Sequence, residues 1–252
     1  MIRTSAPPSA ASTGIPAGKS LVPSGSLTVT VPGTVIDGLD VSGQINVRAN
    51  NVTIKNTRVI TGGYYGIDLG YGATGVTVSH CEITASATHY TGVKGGGFTM
   101  DNCYIHGFEN AITLTDGNTI VTSCFIEKMD GVGSPHYDGI EIYAGNNYEI
   151  RNNAIRLTDT NGNWLNDTGA INITPTWSNI SDVIIDGNWL GGGSYTLNLD
   201  EQGGYTLTNL TVTNNRWYGS APAGHAAYGP IRAGNLITTA AHNTWHDTGQ
   251  PI

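Results

Sequence analysis

Apolar residues recur along this chain in short alternating runs, and the runs share one eight-residue frame. It reads TVIDGLDV at 34–41, VTIKNTRV at 52–59, VTVSHCEI at 76–83, FTMDNCYI at 98–105 and TIVTSCFI at 119–126. It continues as YEIRNNAI at 148–155, VIIDGNWL at 183–190, LTVTNNRW at 210–217 and, more weakly, TTAAHNTW at 238–245. Successive starts lie 18, 24, 22, 21, 29, 35, 27 and 28 residues apart, as expected for one coil per repeat with loops of variable length. The sixth position runs Leu39, Thr57, Cys81, Cys103, Cys124, Asn153, Asn188, Asn215, Asn243. Like residues over like are what coils stacked in register about 4.8 Å apart produce. The eighth position is apolar throughout, from Val41 to Trp245, which predicts an interior column.

A second alternating frame follows each of these. Its triplets include Ile67-Asp68-Leu69, Val93-Lys94-Gly95, Ile112-Thr113-Leu114, Ile140-Glu141-Ile142, Ile171-Asn172-Ile173, Leu197-Asn198-Leu199 and Ile231-Arg232-Ala233. Two strands per coil, joined by Gly- and Asn-rich turns, predict an all-β, single-domain right-handed parallel β-helix of about eight or nine coils. Residues 21–252 form the domain, with residues 21–33 covering the start of the stack. The Pro/Ser/Ala-rich stretch 1–20 reads as a flexible N-terminal segment. The tail after Trp245 is short, leaving the far end open to a neighbouring domain or subunit.

Composition supports strands over helices: Gly is 35 of 252 residues and charged residues are 12%. A net charge of -8, from 19 acids against 11 Lys and Arg, argues against nucleic acid as a partner. No run of about 18 apolar residues exists to insert in a membrane. The first twenty residues also lack the apolar centre of a secretion signal. Cys81, Cys103 and Cys124 share the interior sixth position without a paired C-x-x-C, so they read as buried free thiols.

The middle residue of each second-frame triplet points outward, giving a polar row with charges at selected rungs. Small residues precede the triplets, Gly66, Gly92, Ala111, Gly139 and Ala170, and would leave a shallow floor for an extended ligand. Two positions further back stand Tyr64, Tyr90, Glu109, Tyr137, Thr168 and Tyr228, with His89 and His136 at the corner before them. Tyrosine rings beside Asn, Thr and carboxylates suit a sugar chain. Cleaving a glycosidic bond takes two carboxyls, one protonated and one ionised. The candidates are Glu141, Asp138, Glu109 on the preceding coil and Asp167 on the following one. Glu141 leads, because its apolar neighbours fix its outward direction; Asp138 and Asp167 also suit turn chemistry. Substrate contacts are expected from Lys94, His136, Tyr137, Tyr143, Tyr90, Asn172, Asn198 and Asp200, with Trp164 walling the groove from the insert at 156–168. No metal-ligand spacing of recognised form appears, so no cofactor is expected, with calcium at Asp138, Glu141 or Asp200 left open. Threonines align on three rungs, Thr53, Thr77 and Thr99, before Ile120 and Glu149 interrupt, too short a ladder for ice binding.

The coil pattern resembles the pectin lyase-like superfamily of right-handed β-helix proteins. More narrowly, Ile15-Pro16-Ala17-Gly18, the segment Gly33 to Asp40, the motif His136-Tyr137-Asp138-Gly139-Ile140 and the turn at 188–193 resemble β-helix proteins of actinobacteria and their phages, of the tailspike or depolymerase kind. The resemblance implies a carbohydrate polymer in a lateral groove and a place outside the cell or on a virion, with homo-oligomers or a larger assembly open. The clustered aspartates of polygalacturonases and the calcium-binding aspartates of the lyases do not occur here. Three readings follow. The first is an endo-acting glycoside hydrolase cutting a bacterial cell-wall or capsular polysaccharide. The second is a polysaccharide lyase using Lys94, His136 or Arg232, and the third a non-catalytic glycan-binding module.

Overall fold

A computed structural model describes residues 6–131 and 135–252, with backbone alone at 87–89. His89 therefore lies outside the described side chains. The chain winds as a parallel β-helix. One face is a sheet of nine parallel strands, from Val35–Asp37 to Ile237–Ala241. The other strands form a 17-stranded sheet in two columns, merged where Glu82–Gly95 and Tyr104–Leu114 run through the corner between them.

Each coil thus has three strands where alternation predicts two. The eight-residue frame is not one strand: it is strand, corner, strand. Its fifth residue is left-handed on every coil, at Gly38, Asn56, His80, Asn102, Ser123, Asn152, Gly187, Asn214 and His242, with φ between 48° and 72°. Asn and Gly tolerate that region best, which explains their prevalence at this position.

The corner leaves the sixth residue's backbone N–H without a strand partner, and the next coil's sixth side chain accepts it. The N–H groups of Cys124, Asn153, Asn188 and Asn215 donate to the Oδ1 atoms of Asn153, Asn188, Asn215 and Asn243 at 2.9–3.1 Å. The amide groups of these asparagines donate onward to the buried carbonyls of Val121, Ile150, Ile185 and Val212. Every member of the ladder's interior is satisfied, which is the condition for burying polar groups at all. The three cysteines occupy the same column as buried free thiols. Burial pushes the thiols of Cys81 and Cys103 well up, so they stay protonated.

The two ends differ from their expected roles. Strands Val22–Ser24 and Leu27–Val29 pair in parallel with Leu39–Ser42 and Ile45–Val47, so they are the first coil rather than a cover for it. At the far end the tail folds back: Trp245 N–H donates to Gln250 O, Ile252 N–H to Asn243 O, and Thr244 bridges Pro251 antiparallel. The short tail therefore occupies strand-edge groups of the last coil. The N-terminal stretch 6–20 is also packed rather than loose. Its Gly14 N–H donates to Asn102 O, and Lys19 pairs with Asp37 at 3.1 Å. Ala6, Pro8, Ser12 and Thr13 lie beside Trp189, next to the buried outward cluster of Phe125, Ala154 and Trp189. On the nine-stranded face, Thr53, Thr77 and Thr99 do align in register, with Ile120 and Glu149 next.

Candidate active site

The registers confirm the outward row. Asn46, Asp68, Lys94, Thr113, Glu141, Asn172, Asn198 and Arg232 are successive partners across eight coils. The small residues before the triplets are not its floor. Ala111 and Ala170 are fully buried, and a Cβ on Gly139 would strike Ala170 O and Ile155 Cγ2 at 2.4 Å. They point into the core, as the next residue also does. Two inward residues in succession make a bend, and the bend turns the residue before it outward.

A second outward column results: Tyr65, Thr91, Asn110, Asp138, Gly169, Tyr195 and Gly229. Strict alternation would turn this column inward, and Tyr65, Thr91, Asn110 and Tyr195 are absent from the expected site for that reason. The signal was present in the small residues, which only a corner with two inward positions requires. The columns interlock diagonally, each side chain of the first row meeting the second-column residue of the preceding coil. Lys94 Nζ lies over the Tyr65 ring at 5.2 Å, Thr91 and Thr113 hydroxyls are 3.4 Å apart, Asn110 Nδ2 donates to Glu141 Oε2 at 3.0 Å, and Asn172 Nδ2 to Asp138 Oδ2 at 3.4 Å.

The bend therefore brings Asp138 and Glu141, three residues apart on the strand Asp138–Ile142, onto one face. They are 1% and 4% exposed. Burial, and then the Glu141 charge, push the Asp138 carboxyl well above the usual carboxylate range, against weaker support from Asn172 and the Gly169 N–H. Burial likewise pushes Glu141 up to about 7; the Tyr143 hydroxyl opposes this, Glu109 adds to it and His136 offsets it. Two carboxyls this close in a dry setting retain a proton near neutrality.

The other candidates fall into place around this pair. Glu109 Oε1 accepts the His136 N–H at 3.1 Å, tying it to the following loop. Asp167 accepts the Thr168 N–H at 2.9 Å and stands 3.7 Å from His136 Nδ1, both side chains largely solvent-facing. That is turn chemistry. Asn172 relays from Asp138 to Asn198, whose Nδ2 donates to Asn172 Oδ1 at 3.2 Å. Asp200 pairs with Arg232 at 3.1 Å. Tyr143 stacks against Trp177 with centroids 5.0 Å apart, while Tyr137 packs partly on the core. Tyr90 is exposed and stacked on Tyr64, centroids 5.0 Å apart, and Tyr195 and Tyr228 form a second pair at 5.7 Å. Lys94 does not neutralise Asp68, which pairs with Arg48 instead. Trp164 does not wall the row. Its neighbours are Arg156, Gly191, Tyr218 and His225, a separate cluster under the insert. Among the described residues, no group of three or more His, Cys, Asp or Glu is arranged to hold a metal ion.

The family described as "Right handed beta helix region" matches residues 37–195. No curated protein matches the chain. Among solved structures, the catalytic domain of a GH87 alpha-1,3-glucanase variant in complex with tetrasaccharides aligns with 96% of this chain and 71% of its own. Identity is 13% and the TM-score 0.39, a likeness too distant to bear on activity.

Proposed function

The chain belongs to the right-handed β-helix family, and on that footing we propose that it is a glycoside hydrolase cutting within a polysaccharide, with Asp138 and Glu141 as the reacting carboxyls. One observation carries the reading: two buried carboxyls with raised pKa share one face of a strand midway along a row of amides and tyrosines. A carboxyl that keeps its proton near neutrality can give it to the leaving glycosidic oxygen, while its ionised neighbour activates water or attacks the anomeric carbon. Burial makes both tasks compatible with one pH. Tyr143 and Asn172 hold the two groups from either side, and Trp177, 55% exposed, offers a ring face beside them.

Supporting this, the row continues for several coils on both sides and is flanked by the tyrosine pairs, of which Tyr64, Tyr90 and Tyr228 are exposed. An extended glycan would lie across it and be cut in its interior. The acidic balance of the site favours a neutral or basic polymer, and we place the substrate among bacterial wall or capsular polysaccharides, met outside the cell or by a virion. The proposed chemistry runs on side chains alone. Lys94 is two rungs, about 10 Å, from Glu141, so the hydrolase reading gives it a substrate-binding role rather than that of an eliminating base.

The test is incubation with a panel of purified wall and capsular polysaccharides, followed by reducing-end assay and product mass. Hydrolysis adds the mass of one water per cut; elimination adds none and leaves ultraviolet-absorbing unsaturated ends. We expect hydrolytic products, lost by at least about a hundredfold in Glu141→Gln and Asp138→Asn. Binding without cleavage of any polymer would sink the reading.

A further inference from the structure

Asn110 occupies the second outward column directly before Asp138, its partner on the next coil. Its Nδ2 donates to Glu141 Oε2 at 3.0 Å. Its Oδ1 is buried and is the only buried side-chain polar atom among the described residues without a hydrogen-bond partner. A buried carbonyl left unpaired costs roughly 1–3 kcal/mol, so such an atom is expected to find a donor in the working protein. Its cross-strand partner on the next coil, Asp138, carries a carboxyl group, which becomes a donor once protonated.

We infer that Asn110 sorts the proton of the pair, its Oδ1 accepting from a protonated Asp138 while its Nδ2–H holds Glu141 in the ionised form. The same amide then reads both groups at once, as a carboxamide can because its two ends have opposite polarity. Asp138 has few donors to stabilise its ionised state: the Gly169 N–H at 3.3 Å and Asn172 Nδ2 at 3.4 Å, both long. Glu141 has two, from Asn110 and Tyr143. Other charges facing the pair are Glu109 and His136 from the preceding coil and loop, and Asp167 from the following insert. These act through space: Asp167 raises Asp138, while at Glu141 the Glu109 charge raises and His136 lowers, so they do not supply the opposed pair of hydrogen bonds that Asn110 can. Asn110 is thus a positioning residue. Given the hydrolase reading on which the roles rest, Asp138 is the general acid and Glu141 the base or nucleophile.

The proton's placement can be measured without a substrate. Carbon-13 carboxyl titration of the full chain, with Asp138→Asn and Glu141→Gln to assign the signals, should show Asp138 keeping its proton to higher pH than Glu141. In Asn110→Ala the Glu141 midpoint should rise and the Asp138 midpoint fall, each by about one pH unit. General loosening of the site would move both midpoints downward together, toward ordinary carboxyl values. Asn110→Thr is the second variant, because Thr91 fills the same column on the preceding coil; its single hydroxyl should preserve part of the separation. Movement of both midpoints in one direction, no movement, or Glu141 titrating after Asp138 would overturn the inference. None of those outcomes touches the hydrolase reading, which stands or falls on polymer cleavage.

Discussion

At the scale of residues, burial of the Asp138–Glu141 pair has a thermodynamic signature. Both folded-state pKa values are raised, so the folded chain holds protons the unfolded chain has released. Their contribution is fully present below the unfolded pKa values near 4 and is lost as pH rises through the folded ones, about 7 for Glu141. Asp37, Asp40, Glu82 and Asp186 have lowered values and act the opposite way, but their window closes at more acid pH. Stability should therefore fall by about 2 kcal/mol between pH 5 and pH 8, read from denaturant melts. The slope should flatten in Glu141→Gln; an equal slope in that variant would refute the assignment. Glu141 was legible from alternation alone. Its companion was not, because Asp138 reaches the same face only through the bend at Gly139 and Ile140.

At the scale of elements, the corners specify the coil more than the strands do. The left-handed fifth position and the accepting sixth position recur together, one turning the chain and the other satisfying the N–H that the turn orphans. Replacing Asn188 by Leu would leave the Asn153 N–H and the Ile150 carbonyl unpaired in the core. We expect a loss of about 3 kcal/mol, measured by urea unfolding. Leu39, at the same position of the first eight-residue repeat, should tolerate exchange far better, because it takes no place in the asparagine ladder. The repeated column of like residues was readable, and its register is borne out. Its purpose was not readable, because a sequence does not say which backbone groups a corner leaves without partners.

At the scale of the molecule, the row places a tyrosine pair on each side of the carboxyl pair, with Tyr64, Tyr90 and Tyr228 exposed and Tyr195 half-buried. Tyr64 and Tyr90 stand three and two coils before it, Tyr195 and Tyr228 two and three coils after it. A chain spanning them would bind over about 29 Å with its scissile bond near the centre. Tyr90→Ala and Tyr228→Ala should each weaken binding of long oligosaccharides about tenfold, on the order of 1–2 kcal/mol for a lost ring face. Oligosaccharides too short to reach the rings should bind unchanged. Affinity electrophoresis on the polymer found by cleavage, with an oligosaccharide length series, reads both effects. Equal losses at every length would locate the defect in folding rather than in contact.

The sequence by itself determined the coil repeat, the stacking register, the interior columns and the outward direction of Glu141. Each follows from a local period, apolar against polar every second residue, repeated until only one stacked arrangement buries it all. Tertiary structure alone decided the rest: three strands per coil, the inward small residues, the second outward column, the folded-back tail, and the packing of Trp164 away from the row. These depend on where the chain bends and on what lies one coil away, at sequence separations of twenty to thirty-five residues. Alternation carries no record of a bend. Asp138 joins Glu141 only through the bend, and Asn110 meets Glu141 only once the coils are stacked.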